Sequence, residues 1–343
     1  MEKLFGRDQA WIVGGAVRDR ALGRPVVDLD VALAEPERAA RRYARESGGA
    51  PFPLSERHGA WRVALDDGRT VDFTPLPGSI EDDLATRDFS INAIAEPVGG
   101  GEAVDPFDGR GDLAGRRLRA VKDSVFSDDP LRLLRGPRFE DELAGFRLVH
   151  ETEDLIRRDA DLVAAPSKER ILGELRRLSA DGFRRLEELG LLQRLGGSLD
   201  RARRAGAGGH QDYDLVVFLG ENVLTLPISN ETRRFARTLL RAERPDDDSP
   251  RAIHRFRSAT EPWALETLAF LGARELEPVI VEARTGDPKQ PLLRGGDLEI
   301  PPGPEVGRLL EEIAEERAAG TITTKEEALE YARRNAGPFR GDR

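Results

Sequence analysis

The first thirty residues contain a glycine pair followed by two aspartates in an apolar run. Gly14 and Gly15 follow the apolar stretch WIV, and Asp28 and Asp30 lie within VVDLDVAL. In a strand, alternate residues face the same way, so both carboxylates project together. The residues that alternate with them are expected to face the core: Val27, Leu29 and Val31. Two adjacent carboxylates suit a magnesium ion, although a solvated strand end also fits this pattern.

The glycines favour the first interpretation because they permit close approach of the backbone to a phosphate. The residues after Gly15 can open a helix whose N-terminus favours anions, with Arg18 in its first turn. A phosphate-binding turn beside a pair of metal-binding carboxylates is typical of enzymes that transfer phosphoryl or nucleotidyl groups. Asp72, in the later run TVDF, is either a third carboxylate of this site or an acid on the exposed face of an edge strand.

The pattern of apolar residues divides the chain. Up to about residue 118, apolar runs alternate with a helix-like segment, and LDDGRTVDF reads as a hairpin, which together predict mixed α/β structure. From Asp129 onward, leucines recur at helical spacing, and Thr324 is expected to cap the last helix. A chain of 343 residues predicts two or three packed units. We expect a head at 1–118, a helical neck at 119–196 and a helical body and tail at 197–343.

Composition excludes several classes of protein. There is no cysteine, which rules out disulfides and thiolate chemistry and fits a cytoplasmic location. No apolar run is long enough to span a membrane, and the first residues lack the apolar core of a secretory signal. The net charge of −10 argues against non-specific binding to nucleic acid but leaves room for a local basic surface. The four histidines have no spacing typical of metal ligands.

Two further segments contain charged residues that could bind a nucleotide. Arg87 and Asp88 precede an apolar element. After Asp129, which we place at the start of a helix, arginines recur at three-residue intervals: Arg132, Arg135 and Arg138. Such a set can meet a base edge and phosphates, or it can be an ordinary solvated helix face. Pro137 is expected to interrupt this helix.

Taken in order, the segments GGAVRD, DLD, EDDLATRDFSINA, DPFDGRGDL and DDPLRLLRGPRF resemble the class II tRNA nucleotidyltransferase and bacterial poly(A) polymerase family. The terminal segment PLLRGGDLEIPPGPEVGRLL is also similar to the tail of these enzymes. The resemblance implies an α+β fold: a polymerase-β-like nucleotidyltransferase head with a mixed sheet, followed by an all-helical neck, body and tail.

The resemblance also implies roles for the matching positions. Asp28 and Asp30 match the catalytic, metal-binding carboxylates, with Asp72 as a further candidate ligand. The positions that match the family's triphosphate-binding group are Gly14, Gly15 and Arg18. Arg87 and Asp88 match residues of the family that contact the incoming nucleotide, including its ribose. Asp129 and Arg132 match the pair that contacts the base edge of CTP or ATP. Arg135 and Arg138 match further nucleotide contacts.

The implied reaction is attack by an RNA 3′-hydroxyl on the α-phosphate of CTP or ATP, with two Mg²⁺ ions and release of pyrophosphate. The implied partner is the acceptor arm of tRNA, held by the helical half. A poly(A) polymerase, a small-molecule nucleotidyltransferase and a catalytically silent RNA-binding protein are the alternatives. The acidic helix pair at the end of the sequence favours a tRNA enzyme, because poly(A) polymerases often carry a basic extension there.

Several positions depart from the family pattern. Asp128 stands where glutamate is usual, Thr86 where a second arginine is common, and an acidic run at 140–142 follows Pro137. The path FTPLPGSIEDDLAT lacks a long Arg-rich loop, which in this family is typical of enzymes that add only part of CCA, often CC. In the tail, the backbone of Arg294, Gly295 and Gly296 either binds RNA phosphates or forms a structural turn.

Overall fold

The computed structural model describes residues 9–336 apart from 56–58, 77, 289 and 299. The expectation that the first residues are not a secretory signal cannot be compared with the structure here, because residues 1–8 lie outside the described part. The chain forms two compact units, Met1–Gly196 and Gly197–Arg343. Their boundary falls at the glycine pair where we expected the neck to end, while the division of the first unit into head and neck stays a prediction.

The first unit is built on a six-stranded sheet in the order β3-β4-β5-β2-β1-β6. Its strands are β1 (Trp11–Val13), β2 (Asp28–Leu33), β3 (Ala50–Ser55), β4 (Ala60–Ala64), β5 (Thr70–Pro75) and β6 (Ala95–Pro97). Strands β2 and β5 pair in parallel, and the other neighbours are antiparallel. The predicted hairpin is confirmed: the Leu65 N–H bonds the Arg69 carbonyl, and Gly68 has a φ of 83°.

Helices cover both faces of this sheet. On one face, α2 (Pro36–Ser47) packs its alanines against Val31 and Phe73. On the other face, Val13 of β1 packs with Leu84 of α3 (Ile80–Leu84). Val27 differs from expectation: β2 begins only at Asp28, so Val27 precedes the strand and is 56% exposed.

The remaining helices of the first unit fall partly within the range predicted for the head and partly within the range predicted for the neck. They are α1 (Gly15–Ala21), α4 (Gly109–Gly115), α5 (Val125–Asp128), α6 (Arg132–Glu142), α7 (His150–Asp159), α8 (Lys168–Leu175) and α9 (Ala180–Glu188). Two short strands, β7 (Arg117–Leu118) and β8 (Arg147–Leu148), pair in parallel among them. The prediction that Pro137 interrupts the helix is wrong, because α6 runs through it. A proline removes one backbone hydrogen bond, and the buried side chains of Leu133, Leu134 and Phe139 hold the helix together.

The second unit is helical, as expected. It contains α10 (Tyr213–Leu219), α11 (Asn230–Arg241), α12 (Pro250–Thr260), α13 (Ala264–Leu271), α14 (Glu277–Thr285), α15 (Pro304–Ala318) and α16 (Lys325–Asn335). Thr324 caps α16 as predicted, accepting a hydrogen bond from the Glu327 N–H. None of the helices in the described part of the chain is long and apolar enough to cross a membrane.

Candidate nucleotide and metal site

The glycine turn, the paired aspartates and Arg87 come together at the start of β2. Gly14 has a φ of 70°, a conformation that favours glycine, and leads from β1 into α1. A Cβ atom on Gly14 would lie 3.4 Å from Asp30 Oδ2 and 3.3 Å from Arg87 Nη1. The site predicted from separate motifs is therefore brought together in the fold, and glycine is required where those motifs meet.

The two aspartates have different surroundings. Asp28 is exposed and accepts a 2.7 Å hydrogen bond from Thr70 Oγ1. Burial raises the pKa of the Asp30 carboxyl above its ordinary value; Arg87 opposes this shift, and the carboxylates of Asp72 and Asp28 add to it. A cation beside Asp30 would relieve this repulsion.

The donor set of this site fits magnesium. Magnesium is usually held by one or two protein carboxylates, with phosphates and waters completing its octahedron. Within the described ranges, no group of three or more histidine, aspartate or glutamate side chains has a geometry that could hold a metal. Asp28 and Asp30 as metal ligands stay a prediction; two carboxylates would leave coordination positions for the phosphates of a nucleotide.

Asp72 lies directly beside Asp30 across the parallel strands β2 and β5. The edge-strand interpretation is wrong, because β5 lies between β4 and β2 inside the sheet. Both oxygens of Asp72 accept hydrogen bonds from Arg62, at 2.6 and 2.7 Å. Arg62 was missed in the sequence, although the predicted hairpin register places it opposite Asp72. Asp72 as a metal ligand stays a prediction.

Arg18 and Asp88 are joined through a buried asparagine. Asn92 accepts a 2.8 Å hydrogen bond from Arg18 Nη1 and donates a 2.9 Å bond to Asp88 Oδ1. Arg135 Nε lies 2.8 Å from the other oxygen of Asp88. Arg18 is also held by Asp19, which binds two of its nitrogens. Residues predicted separately as triphosphate and ribose contacts therefore form one network, and Asn92, which joins them, was not predicted as a site residue.

Arg87 is oriented by an acid one helical turn earlier. Its Nε and Nη2 donate to the same oxygen of Asp83, at 3.2 and 2.8 Å. The Nη1 atom is the one that lies near Gly14 and Asp30. Because Asp83 fixes the other two nitrogens, Arg87 presents one side of its guanidinium to the glycine turn.

Asp129 and Arg132 are neighbours that are held by different groups. Arg132 Nε and Asp129 Oδ2 are 4.0 Å apart, too far for a hydrogen bond. Arg132 Nη2 instead donates a 2.6 Å bond to the Thr86 carbonyl. Asp129 lies in extended backbone three residues before the first residue of α6, not at the start of the helix as we expected. Its Oδ2 accepts a 2.9 Å bond from Arg170. Arg170, on α8, is a third residue that was not predicted from the sequence.

Arg138 has different surroundings from the other arginines of α6. It is only 3% exposed, and its guanidinium binds Glu142 and Glu174, at 2.7 and 2.6 Å. Burial lowers the pKa of this guanidinium, and Glu174 and Glu142 counteract the shift. The rest of the acidic run is also structural, since Glu140 pairs with Arg185 and Asp141 accepts from the Ser179 N–H. A nucleotide contact by Arg138 stays a prediction, which this geometry does not favour.

The tail segment forms a closed turn. The Arg294 N–H donates to Asp297 Oδ2 at 2.7 Å, and Lys325 Nζ binds the other oxygen at 2.6 Å. Gly295 and Gly296 lie within this turn as a short 3₁₀ segment. The structural-turn interpretation accounts for these bonds, and RNA binding by Arg294, Gly295 and Gly296 stays a prediction.

Comparison with known proteins supports the family suggested by these motifs. Residues 10–76 and 57–119 match the Poly A polymerase head domain. An A-adding tRNA nucleotidyltransferase of Deinococcus radiodurans is 33% identical over 95% of this chain and 95% of its own. The chain belongs to the class II tRNA nucleotidyltransferase family. It is therefore a nucleotidyltransferase, and the relatives do not favour the poly(A) polymerase alternative.

Other relatives agree with this assignment. A CC-adding tRNA nucleotidyltransferase of Geobacter sulfurreducens is 44% identical over 49% of this chain and 40% of its own length. A solved structure, the Thermotoga maritima CCA-adding enzyme complexed with tRNA, has a TM-score of 0.73 at 22% identity and covers 97% of this chain and 93% of its own. The predicted fold class, a polymerase-β-like head followed by helices, is confirmed.

Proposed function

We propose that this chain adds the two cytidines of the 3′-terminal CCA to the acceptor arm of tRNA, using CTP. The 3′-hydroxyl oxygen of the RNA forms a bond to the α-phosphorus, the bond from that phosphorus to the bridging oxygen breaks, and pyrophosphate leaves. The observation that carries this proposal is the meeting of Gly14, Asp30 and Arg87 within contact distance at one carboxylate pair. The absence of cysteine supports a cytoplasmic setting.

Different residues would bind the triphosphate, the metal ions and the base of the nucleotide. Arg18 and Arg87 supply positive charge for the triphosphate, and Gly14 leaves space for its approach. Asp28 and Asp30 would hold Mg²⁺, which when bound neutralises the phosphates and aligns the attacking and leaving oxygens. Asp129 and Arg132 present an acceptor and donors to the base edge of the nucleotide.

Addition of CC rather than the whole CCA is supported by the connection between β5 and α3. β5 ends at Pro75 and α3 begins at Ile80, and of the residues between them only Pro77 is not described. The Leu76 N–H still bonds the Leu33 carbonyl, and Ser79 already caps α3. This connection has no room for a long loop, and in the family a short connection here is typical of partial addition. The CC-adding relative is 44% identical over 49% of this chain, and the A-adding enzyme is 33% identical over 95% of it.

Addition of the terminal A is the second candidate. The observation in its favour is the similarity to the A-adding enzyme, which extends over nearly the full length of both chains.

Product length distinguishes these functions. The protein and Mg²⁺ are incubated with one tRNA transcript that ends at the discriminator base and another that ends in CC, with CTP and ATP supplied singly and together. We expect two C residues and a stop on the first transcript. A single A only on the second transcript would favour A addition, full CCA on the first would contradict the loop argument, and no product would favour a silent RNA-binding protein.

The metal assignment has its own test. Replacement of Asp28 and Asp30 by alanine should lower incorporation by at least about 1,000-fold, because the charge on the phosphates is no longer neutralised. Binding of tRNA, measured by filter retention, should stay within about twofold of the unchanged protein. Incorporation that survives in the double variant would show that the metal assignment is wrong.

A further inference from the structure

Arginines without protein partners concentrate in one part of the second unit. Residues 201–241 contain seven arginines and four acidic residues, a formal charge of +3 in a chain of −10. One of the four acids, Asp212, is buried and accepts a hydrogen bond from Thr232. Within the described part of the chain, six of these seven arginines make no ion pair or hydrogen bond through their side chains: Arg201, Arg203, Arg204, Arg234, Arg237 and Arg241.

Three of these arginines lie on one face of α11. Arg234, Arg237 and Arg241 follow the spacing i, i+3, i+7, and all three are exposed. The opposite face of the helix packs into the core through Thr232, Phe235, Ala236 and Leu239. At 1.5 Å of rise per residue, the set extends along about 10 Å of the helix. We call Arg234, Arg237 and Arg241 the arginine stripe.

The helix that carries the arginine stripe is firmly anchored. Ser229 caps its N-terminus, accepting a 3.0 Å bond from the Thr232 N–H. Thr232 Oγ1 in turn donates a 2.7 Å bond to the buried Asp212. The Phe235 ring stacks on His210 with 3.9 Å between centroids, and Arg233 donates a 3.0 Å bond to the Leu224 carbonyl. The neighbouring arginine is used to fix the helix, while the arginine stripe is left facing solvent.

We propose that the arginine stripe binds the phosphodiester backbone of the RNA substrate. This inference rests on the proposed function and assigns its RNA-binding surface to α11. Guanidinium groups bind phosphate oxygens with two hydrogen bonds, and three of them on one helix face match a row of singly charged phosphates. A membrane surface fits less well, because a membrane-binding helix exposes its apolar face, and the apolar face of α11 is buried.

Binding of a tRNA transcript that lacks CCA, followed by fluorescence anisotropy, tests the proposal. The variant carries Arg234→Ala, Arg237→Ala and Arg241→Ala together. The matched control removes three exposed arginines elsewhere that also lack side-chain partners within the described residues: Arg45, Arg110 and Arg333. Both variants lose the same charge, so a difference between them reports position and not net charge.

We expect the stripe variant to bind tRNA about 10-fold or more weakly, with a slope of log K against log salt reduced by about 2. The control should stay within about twofold in affinity and keep the slope of the unchanged protein. Thermal unfolding should be the same for all three proteins, since the replaced side chains are exposed. A stripe variant that matches the control in both affinity and slope would overturn the proposal.

Two further readouts separate this proposal from the proposed function. At saturating tRNA, the stripe variant should keep its kcat and its KM for CTP, while its KM for tRNA rises. If the unchanged protein binds tRNA but incorporates nothing, the proposed function fails, and the binding assay still tests the arginine stripe.

Discussion

Helices α6 and α11 carry arginines at nearly the same spacing in opposite surroundings. On α6, each arginine is held by the protein itself: Arg132 by backbone carbonyls, Arg135 by Asp88 and Arg138 by two glutamates. On α11, the arginine stripe has no such partner among the described residues. In sequence alone the two sets look alike, so the pattern of arginines does not determine their role.

The difference lies in where the acids are. Two of the three carboxylates that hold the α6 arginines come from other elements: Asp88 follows α3, and Glu174 is on α8. The third, Glu142, is the last residue of α6 itself. An arginine that is already paired keeps its geometry when a ligand arrives, whereas a free arginine loses rotamer freedom on binding but keeps all its donors for the ligand. We therefore expect changes on α6 to alter stability and nucleotide binding, and changes on α11 to alter RNA binding alone.

The largest effect on stability is expected at Arg138. Arg138→Ala leaves Glu174 and Glu142 facing each other without their buried cation, so we expect the free energy of unfolding to fall by about 3–5 kcal/mol. Urea denaturation followed by circular dichroism measures this change. Arg237→Ala on the arginine stripe is the control and should change stability by less than about 0.5 kcal/mol.

A second variant distinguishes the effect on stability of losing the charge of Arg138 from the effect of losing its volume. Arg138→Met combined with Glu174→Gln keeps the volume and removes one carboxylate, so it should recover a large part of the stability. If Arg138→Ala unfolds like the unchanged protein, the buried pairing is absent and Arg138 becomes available to a nucleotide.

The next largest effect is expected at Asn92. Asn92→Ala removes the link between Arg18 and Asp88, so we expect the KM for CTP to rise about 10-fold, with a smaller change in kcat. Asn92→Asp keeps the acceptor for Arg18 but places a carboxylate against Asp88, and should recover little. Thr267→Val, in the second unit, removes a buried hydrogen bond to the Trp263 carbonyl and should lower stability without moving this KM. A KM unchanged in both Asn92 variants would show that the network only supports the fold.

The sequence was sufficient wherever a structural rule acts over a few residues. The strand alternation around Asp28 and Asp30, the hairpin at Gly68 and the cap at Thr324 all depend on neighbours along the chain, and all three were predicted. The meeting of Gly14 with Arg87 was predicted only through the family resemblance, because these residues are distant in sequence.

The residues that sequence reasoning missed act across elements. Arg62 holds Asp72, Asn92 holds Arg18 and Arg170 holds Asp129, each from another strand or helix. Only Arg62 had a local signal, the hairpin register that places it opposite Asp72. Pro137 was mispredicted because packing between elements can outweigh a local rule. Its local effect is to break a helix, but the packing of α6 on its buried face outweighs the single lost hydrogen bond.

Arg170 offers a finer test of how a paired arginine contributes. Arg170→Ala releases Asp129, so we expect discrimination between CTP and UTP to fall about 5-fold to 10-fold while stability stays nearly unchanged. Competition between the two nucleotides on a tRNA transcript measures this ratio. Arg177→Ala is a matched control, since Arg177 lies just after α8, is similarly exposed and pairs with Glu142 instead. Equal discrimination in the two variants would show that Arg170 does not position Asp129.

The smallest effect is expected at a surface pair of the second unit. Arg251 and Thr321 lower the pKa of Glu316 to about 2. Because the pKa of Glu316 is depressed, its pairing with Arg251 stabilises the folded protein fully at pH values above 4.5, the ordinary pKa of glutamate. This stabilisation is lost as the pH falls from 4.5 towards 2. Glu316→Gln should therefore lower the Tm by roughly 1–2 °C at pH 7. The difference should shrink at pH 4 and again at pH 3. If Glu316→Gln does not change the Tm at any of these pH values, Arg251 is as free as the arginine stripe, and the contrast between paired and unpaired arginines in this unit does not hold.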